Sequence, residues 1–241
     1  MRRQLLSLGL AVTAVVTLTA CDPDMDKIHR DAAALTAKVT AVRLDGIRSG
    51  SVKVVGGTAK ASLTRTIHYA DKRPDGPTHR IENGVLVLSG CDVSDCSISY
   101  DIKVPAGVPV SGGTTNGSIT LSHVGQVNVT THSGRVELDG VSGSVTARTH
   151  DGRISGSGLG GDSIDVQTSN GAVDLTPTKP ENIRAKTSNG AITLTVPKDG
   201  RYQVTTHTSN GKRDIGVPND PSGRHRLDLT TSNGRIEVRA A

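Results

Sequence analysis

The 241-residue chain has no tryptophan, no phenylalanine and three tyrosines, so aromatic residues make up 1% of it. Sugar-binding platforms and base-stacking single-strand binders both need exposed rings, and neither class fits this composition. A core without rings must be filled by Val, Ile, Leu, Ala and Thr in flat layers. Glutamate is scarce, occurring only at Glu82, Glu137, Glu181 and Glu237. The formal net charge is +5, with Arg2 and Arg3 supplying two of the positive charges, and there is no run of five like charges. A nucleic-acid partner is therefore not expected. The sequence also lacks a Gly-x-Ser-x-Gly elbow, a His-Glu-x-x-His pair and a phosphate loop. No catalytic residue, cofactor or resident metal is expected, and the chain reads as a non-enzyme.

Beyond the leader there are no long apolar runs. The leader begins with Arg2-Arg3, continues with an apolar stretch from Leu5 to Leu18, and ends in Leu18-Thr19-Ala20-Cys21. The stretch falls short of the roughly 20 residues that span a bilayer, so an export signal is favoured over a permanent span. Its end resembles a bacterial lipobox, in which a diacylglycerol is attached to the cysteine thiol and the chain is cut just before it. The expected organisation is a signal peptide over 1–20, a tether over 21–40 with a short helical turn over 31–35, and one domain over 41–241. Lipidation of Cys21, with fatty acyl chains such as palmitate, would hold the domain at the outer face of the cytoplasmic membrane. General and twin-arginine export both remain open.

Cys91 and Cys96 are the two remaining cysteines. In an exported chain so close a pair reads as a disulfide. It lies between the apolar run 85–88 and the alternating run 97–104, where it would pin a turn between two strands. Closing so short a loop contributes about 2 kcal/mol by chain entropy.

From about residue 41 the pattern alternates with period two, the mark of strands. One segment recurs: 164–175, 183–194 and 227–238 share a Thr-Ser-Asn-Gly centre. Degenerate copies centre on Asn116-Gly117, Ser133-Gly134, Asp151-Gly152 and Asn210-Gly211, beside Asn170-Gly171, Asn189-Gly190 and Asn233-Gly234. Glycines 117, 134, 152, 171, 190, 211 and 234 are spaced by 17, 18, 19, 19, 21 and 23 residues. Such a series predicts stacked coils of about twenty residues, an all-β parallel solenoid, with an antiparallel β-sandwich as the alternative. Asn-Gly and Asp-Gly would turn the chain at each corner through positive φ. Val166, Thr168, Val173 and Leu175 should face inward, and Asp165, Gln167 and Asp174 outward. Successive coils are expected to stack in sequence order, the last one ending at Val238–Ala241 without a cap, which leaves strand edges open to self-association.

Three histidines, His132, His150 and His207, lie near corners, at offsets of 2, 2 and 4 from the corner glycine. With Asp151 they are read as an exposed polar ladder rather than a metal site. Arg135, Arg153, Lys212 and Arg235 follow corner glycines and suggest a basic stripe facing anionic polymers or headgroups. Asp139, Asp151, Asp165 and Asp174 are the acids that a polysaccharide-cleaving β-helix would draw on. The stretch 158–164 is read as a bulge between coils.

The lipobox, the strand Gly50-Ser51-Val52-Lys53-Val54, the segment Asp101–Gly107 and the serial Thr-Ser-Asn-Gly coils together resemble the bacterial toastrack-type β-helix family, over residues 41–241. That resemblance implies a single-stranded right-handed parallel β-helix at the cell surface, in a family that carries an adhesin label by analogy of fold. The function it suggests is an adhesin-like or scaffold module of the envelope, with an accessory role in envelope stress signalling and an envelope polymer or protein as partner. A polysaccharide lyase or hydrolase is the alternative.

Overall fold

A computed structural model describes residues 27–241, so the leader and Cys21 lie outside the described residues. Within them the chain forms twenty-one strands and no helix. The N-terminal part holds β1 (Lys27–Ala34), β2 (Ala41–Ser49), β3 (Val52–Gly56), β4 (Ser62–Tyr69), β5 (His79–Glu82), β6 (Val85–Ser89) and β7 (Cys96–Val104). The repeat then runs through paired strands: β8 (Val110–Asn116) with β9 (Ile119–Ser122), β10 (Val127–Ser133) with β11 (Val136–Asp139), and β12 (Val145–Asp151) with β13 (Ile154–Leu159). It continues with β14 (Ser163–Gln167) and β15 (Val173–Pro177), then β16 (Asn182–Lys186) and β17 (Ile192–Val196). The last pairs are β18 (Tyr202–Asn210) with β19 (Arg213–Ile215), and β20 (His225–Asn233) with β21 (Ile236–Ala240).

In each pair one strand joins a 10-stranded sheet and the other an 11-stranded sheet, with the corner between them. Neighbouring coils pair in parallel, in registers such as Val127 with Val145, Ile164 with Ile183 and Val173 with Ile192. The antiparallel sandwich is thereby excluded. Antiparallel pairing is confined, among the described residues, to β1/β4, β4/β7 and β5/β6 at the N-terminal end. Alternation fills the space between the sheets: Val166, Thr168, Val173 and Leu175 are all buried, as their inward parity requires. The register of β13 slips between Ser157 and Leu159, which is the bulge expected near Gly158.

The coils do not stack in sequence order at either end. The coil β2/β3 lies between β6/β7 and β8/β9. At the other end β20/β21 lies between β16/β17 and β18/β19. The first and last coils of the sequence therefore each sit one place in from the end of the stack. The last coil, expected to be uncapped, is covered by the coil before it. Apolar content explains the choice: Leu227, Leu229, Ile236 and Val238 are all buried, whereas the matching inward positions of the outer coil are Val204, Thr206, Arg213 and Ile215. Placing the richer coil inside removes more apolar surface from water. The segment after β19 then closes part of the outer edge. The Asp220 N–H donates to the Tyr202 carbonyl (2.8 Å) and the Val204 N–H to Asn219 Oδ1 (2.9 Å).

The region read as a tether is, from Lys27 to Ala34, strand β1 on the edge of the larger sheet. Its alternation is faint because the strand is mostly exposed, so the sequence hides it. Arg65 on β4 fixes it, donating from Nε to Asp31 Oδ1 (3.0 Å) and from Nη2 to Asp31 Oδ2, while Nη1 donates to Thr78 Oγ1 (2.8 Å). Beneath, the buried Tyr100 hydroxyl lies 2.8 Å from the Thr78 carbonyl and 2.6 Å from that of Ser89. Burial pushes that phenol up to about 12.

Candidate functional site

The chemistry-bearing residues gather along the corner that joins the two sheets. Its backbone is a continuous ladder. Each corner glycine N–H donates to the corner carbonyl of the next coil: Gly117 to Ser133, Gly134 to Asp151, Gly152 to Asn170, Gly171 to Asn189, Gly190 to Asn233 and Gly234 to Asn210, all at 2.9–3.0 Å. An inward row of threonines, buried except for the half-buried Thr208, reinforces it from inside. Thr168 Oγ1 donates to the Gly152 carbonyl (2.9 Å), Thr187 to Gly171 (2.9 Å), Thr231 to Gly190 (3.0 Å) and Thr208 to Gly234 (3.1 Å).

The corner glycines are needed for close approach rather than for a left-handed turn; Gly117, Gly134 and Gly234 lie at φ 159°, at the edge of extended backbone. A Cβ on Gly171 would lie 2.0 Å from the Gly152 carbonyl oxygen, and one on Gly190 equally close to Gly171. Neither glycine lies in the left-handed region, and the corner asparagines keep negative φ. Outside the corner an amide ladder runs parallel to the stack. Asn170 Nδ2 donates to Asp151 Oδ1 (2.7 Å), Asn189 to Asn170 (2.9 Å), Asn233 to Asn189 (2.9 Å) and Asn210 to Asn233 (2.8 Å). Asn116 continues the corner by pairing with Ser133. Because Asn210 follows Asn233 rather than Asn189, the ladder keeps its geometry across the transposed coils.

His132 and His150 meet on this corner, with rings stacked at a centroid distance of 4.9 Å and an interplanar angle of 20°. His150 Nδ1 lies 3.1 Å from Asp151 Oδ2. The Asn170 amide, then the His150 hydrogen bond, hold the Asp151 carboxyl below its ordinary range. His207 is not part of this group. Its offset of 4 places it two residues earlier on its strand, opposite Thr230 in the outermost coil.

The basic stripe is broken. Arg135 and Arg153 adjoin one another, and so do Arg235 and Lys212, but Ala172 and Ala191 separate the two pairs in the stack. Arg153 Nε lies 3.0 Å from Asp174 Oδ2, and Arg135 and Arg235 pair with Glu137 and Glu237 at 3.5 and 3.9 Å. The four acids do not converge either. Asp165 faces outward from the smaller sheet near Arg148, Asp151 sits at the corner, and Asp139 and Asp174 flank a groove of about 410 Å³ on the larger sheet. Thr120, Glu137 and Ser155 line the same groove. In register, Thr120, Glu137, Ser155, Asp174, Thr193 and Glu237 form one outward row.

Cys91 and Cys96 are disulfide-bonded at the same corner, in the outermost N-terminal coil. Glu181 is a group that alternation alone does not flag. It takes an inward position before β16, 2% exposed, with no hydrogen-bond partner on either carboxyl oxygen. Burial raises it from an ordinary value of 4.5 to about 7.

These features define a repeat protein: two parallel sheets stacked by glycine, threonine and asparagine rungs. The profile of the toastrack DUF4097 family matches residues 94–239, and the chain belongs to that family. Among solved structures it is similar to a candidate cell adhesion protein of Clostridium sporogenes, at 12% identity and a TM-score of 0.41, covering 89% of this chain and 100% of that one. It is also similar to candidate adhesins of Parabacteroides merdae (13% identity, TM-score 0.41, 88% and 96% covered) and Parabacteroides distasonis (14%, 0.43, 89% and 98%). No curated protein matches the chain.

Proposed function

We propose that the chain is an exported lipoprotein, held by lipid on Cys21 at the outer face of the cytoplasmic membrane. Its body is an adhesin-like binding or scaffold module of the envelope, serving an accessory part in envelope stress signalling. The coils of this reading wind right-handed at about twenty residues each. The observation that carries it is the outward row from Thr120 to Glu237, which repeats hydroxyl and carboxylate groups at strand spacing on a rigid sheet. Parallel strands lie about 4.8 Å apart, so such a row suits a polymer with a comparable repeat. An envelope polymer or protein is the partner, and end-to-end self-association would use the open edge of β1. The lyase or hydrolase alternative would draw on Glu137, Asp139 and Asp174, but Arg135, Ser157 and Arg153 engage these carboxylates.

Two measurements test the reading. Radiolabelled palmitate should enter the protein and be lost in Cys21→Ala; labelling that survives the substitution contradicts the anchor. The purified chain should bind isolated envelope fragments saturably, and Glu137→Gln with Asp174→Asn should weaken that binding. Non-saturable binding, or turnover of a pectin-like or glycosaminoglycan substrate, contradicts the binding-module reading.

A further inference from the structure

Two adjacent coils depart from the repeat at the same point of the corner. In the exposed row that follows the inward threonine, the other coils from β8/β9 onward carry Thr115, Ser169, Ser188, Ser209 and Ser232, whereas these two carry His132 and His150. In the corner row the other coils from β8/β9 onward carry asparagine, whereas these two carry Ser133 and Asp151; before them, Ser49 of β2 stands opposite Asn116. An asparagine at either corner position would extend the amide ladder. Serine shortens the side chain beside the histidines, and aspartate replaces an amide with a carboxylate. Three of these four departures, His132, His150 and Asp151, bring together two imidazoles and a carboxylate, which the repeat itself does not require.

The backbone fixes their spacing. Thr131 pairs with Thr149 and Ser133 with Asp151, so His132 stands directly beside His150. One ligand atom from each of His132, His150 and Asp151 lies within 4.8 Å of the others. All three side chains are exposed, so their ligand atoms can close to bonding distance by side-chain rotation while the ladder stays in place. Asn170 Nδ2 steadies the carboxylate at 2.7 Å, in the manner of an outer partner that orients a metal ligand. The nearby guanidinium groups of Arg153 and Arg135 are directed to Asp174 and Glu137, which offsets their charge.

We propose that His132, His150 and Asp151 form a surface site for a borderline divalent transition ion of the Zn²⁺ class. Two imidazole nitrogens and one carboxylate oxygen suit Zn²⁺, Ni²⁺ or Cu²⁺, whereas Ca²⁺ and Mg²⁺ take shells of oxygen. Three protein ligands on an exposed corner leave a coordination position facing solvent. The ion could take an imidazole or carboxylate from outside there, which would give the envelope module a second, metal-dependent contact.

Calorimetric titration of the tag-free chain with Zn²⁺, with imidazole resonances followed in parallel, tests the site. One ion per chain should bind saturably, shifting the His132 and His150 resonances together. His132→Ala and His150→Ala should each weaken binding by more than ~10-fold, and Asn170→Ala by about 10-fold. His207→Ala should leave binding unchanged, and excess Ca²⁺ should not compete. Absence of saturable binding overturns the proposal. So does a loss in His207→Ala equal to that in His150→Ala, or displacement of Zn²⁺ by Ca²⁺.

Discussion

The two ends of the stack close the same core by different means. At the N-terminal end the outer coil β6/β7 is itself apolar, with Leu86, Leu88, Ile98, Tyr100 and Ile102 buried, and it needs a further cover. That cover is antiparallel and unlike the repeat: β4 and β1 extend one sheet and β5 the other, joined by the Arg65–Asp31–Thr78 contacts and the Tyr100 hydroxyl. At the C-terminal end the cover is one more coil of the repeat, made polar on its inward side by Thr206, Thr208 and Arg213. Both ends tuck a terminal coil of the sequence one place inside. The rungs are interchangeable, so chain connectivity does not decide which coils touch; at the C-terminal end apolar content does.

The largest expected effect separates the inserted coil from its lid. A Cβ on Gly234 would lie 2.0 Å from the Gly190 carbonyl oxygen, between two coils that cannot both yield. Gly234→Ala should cost roughly 3 kcal/mol or more in denaturant unfolding. Gly211→Ala meets the Gly234 carbonyl just as closely, at 1.9 Å. It lies in the outer coil, however, which can lift away. Hydrogen exchange should therefore quicken in β18 and β19 alone, with global stability nearly kept. Equal losses in the two variants would erase the distinction between lid and core.

Side-chain truncation sharpens the same contrast. Leu229→Ala, at a fully buried position, should lower stability by about 3 kcal/mol. Val204→Ala, half-buried in the lid, should cost less than about 1 kcal/mol.

A smaller effect, dependent on pH, comes from Glu181. It adjoins Asn182, whose Oδ1 accepts from the Arg226 N–H (2.9 Å) where the inserted coil begins. Its carboxyl is raised to about 7 by burial, with Lys179 lowering it and Asp162 raising it further. As pH rises from 4.5 towards 7, the unfolded chain gives up this proton while the folded chain keeps it. Stability from this group is therefore full below about 4.5 and is lost across that window, by roughly 2–3 kcal/mol. Glu181→Gln should flatten the difference in unfolding free energy between pH 4.5 and 7.5; an unchanged slope would place the carboxyl in contact with water.

Much of the central coils was legible in the sequence, because alternation and corner glycines report local geometry. Val166, Thr168, Val173 and Leu175 needed only their parity. Why glycine stands at the corners was not legible, since Asn-Gly is also turn chemistry and the approaching carbonyl comes from another coil. The stacking order was hidden for a related reason: the corners around Gly190, Gly211 and Gly234 match one another, and only the summed apolar content of whole coils ranks them. At the candidate site, the shared offset of His132 and His150 already implied that they are neighbours. Asp151 was already grouped with them from the sequence, but that Asn170 holds its carboxylate and that His207 stands apart needed the stack.

The transposed coil order is tested most directly by cross-strand amide contacts in NMR spectra of the labelled chain. Contacts from Ile183–Lys186 should lead to Leu227–Thr230, and those from Leu227–Thr230 onward to Val204–His207. Direct contacts between Ile183–Lys186 and Val204–His207 would mean that the coils stack in the order of the sequence, and would contradict the account.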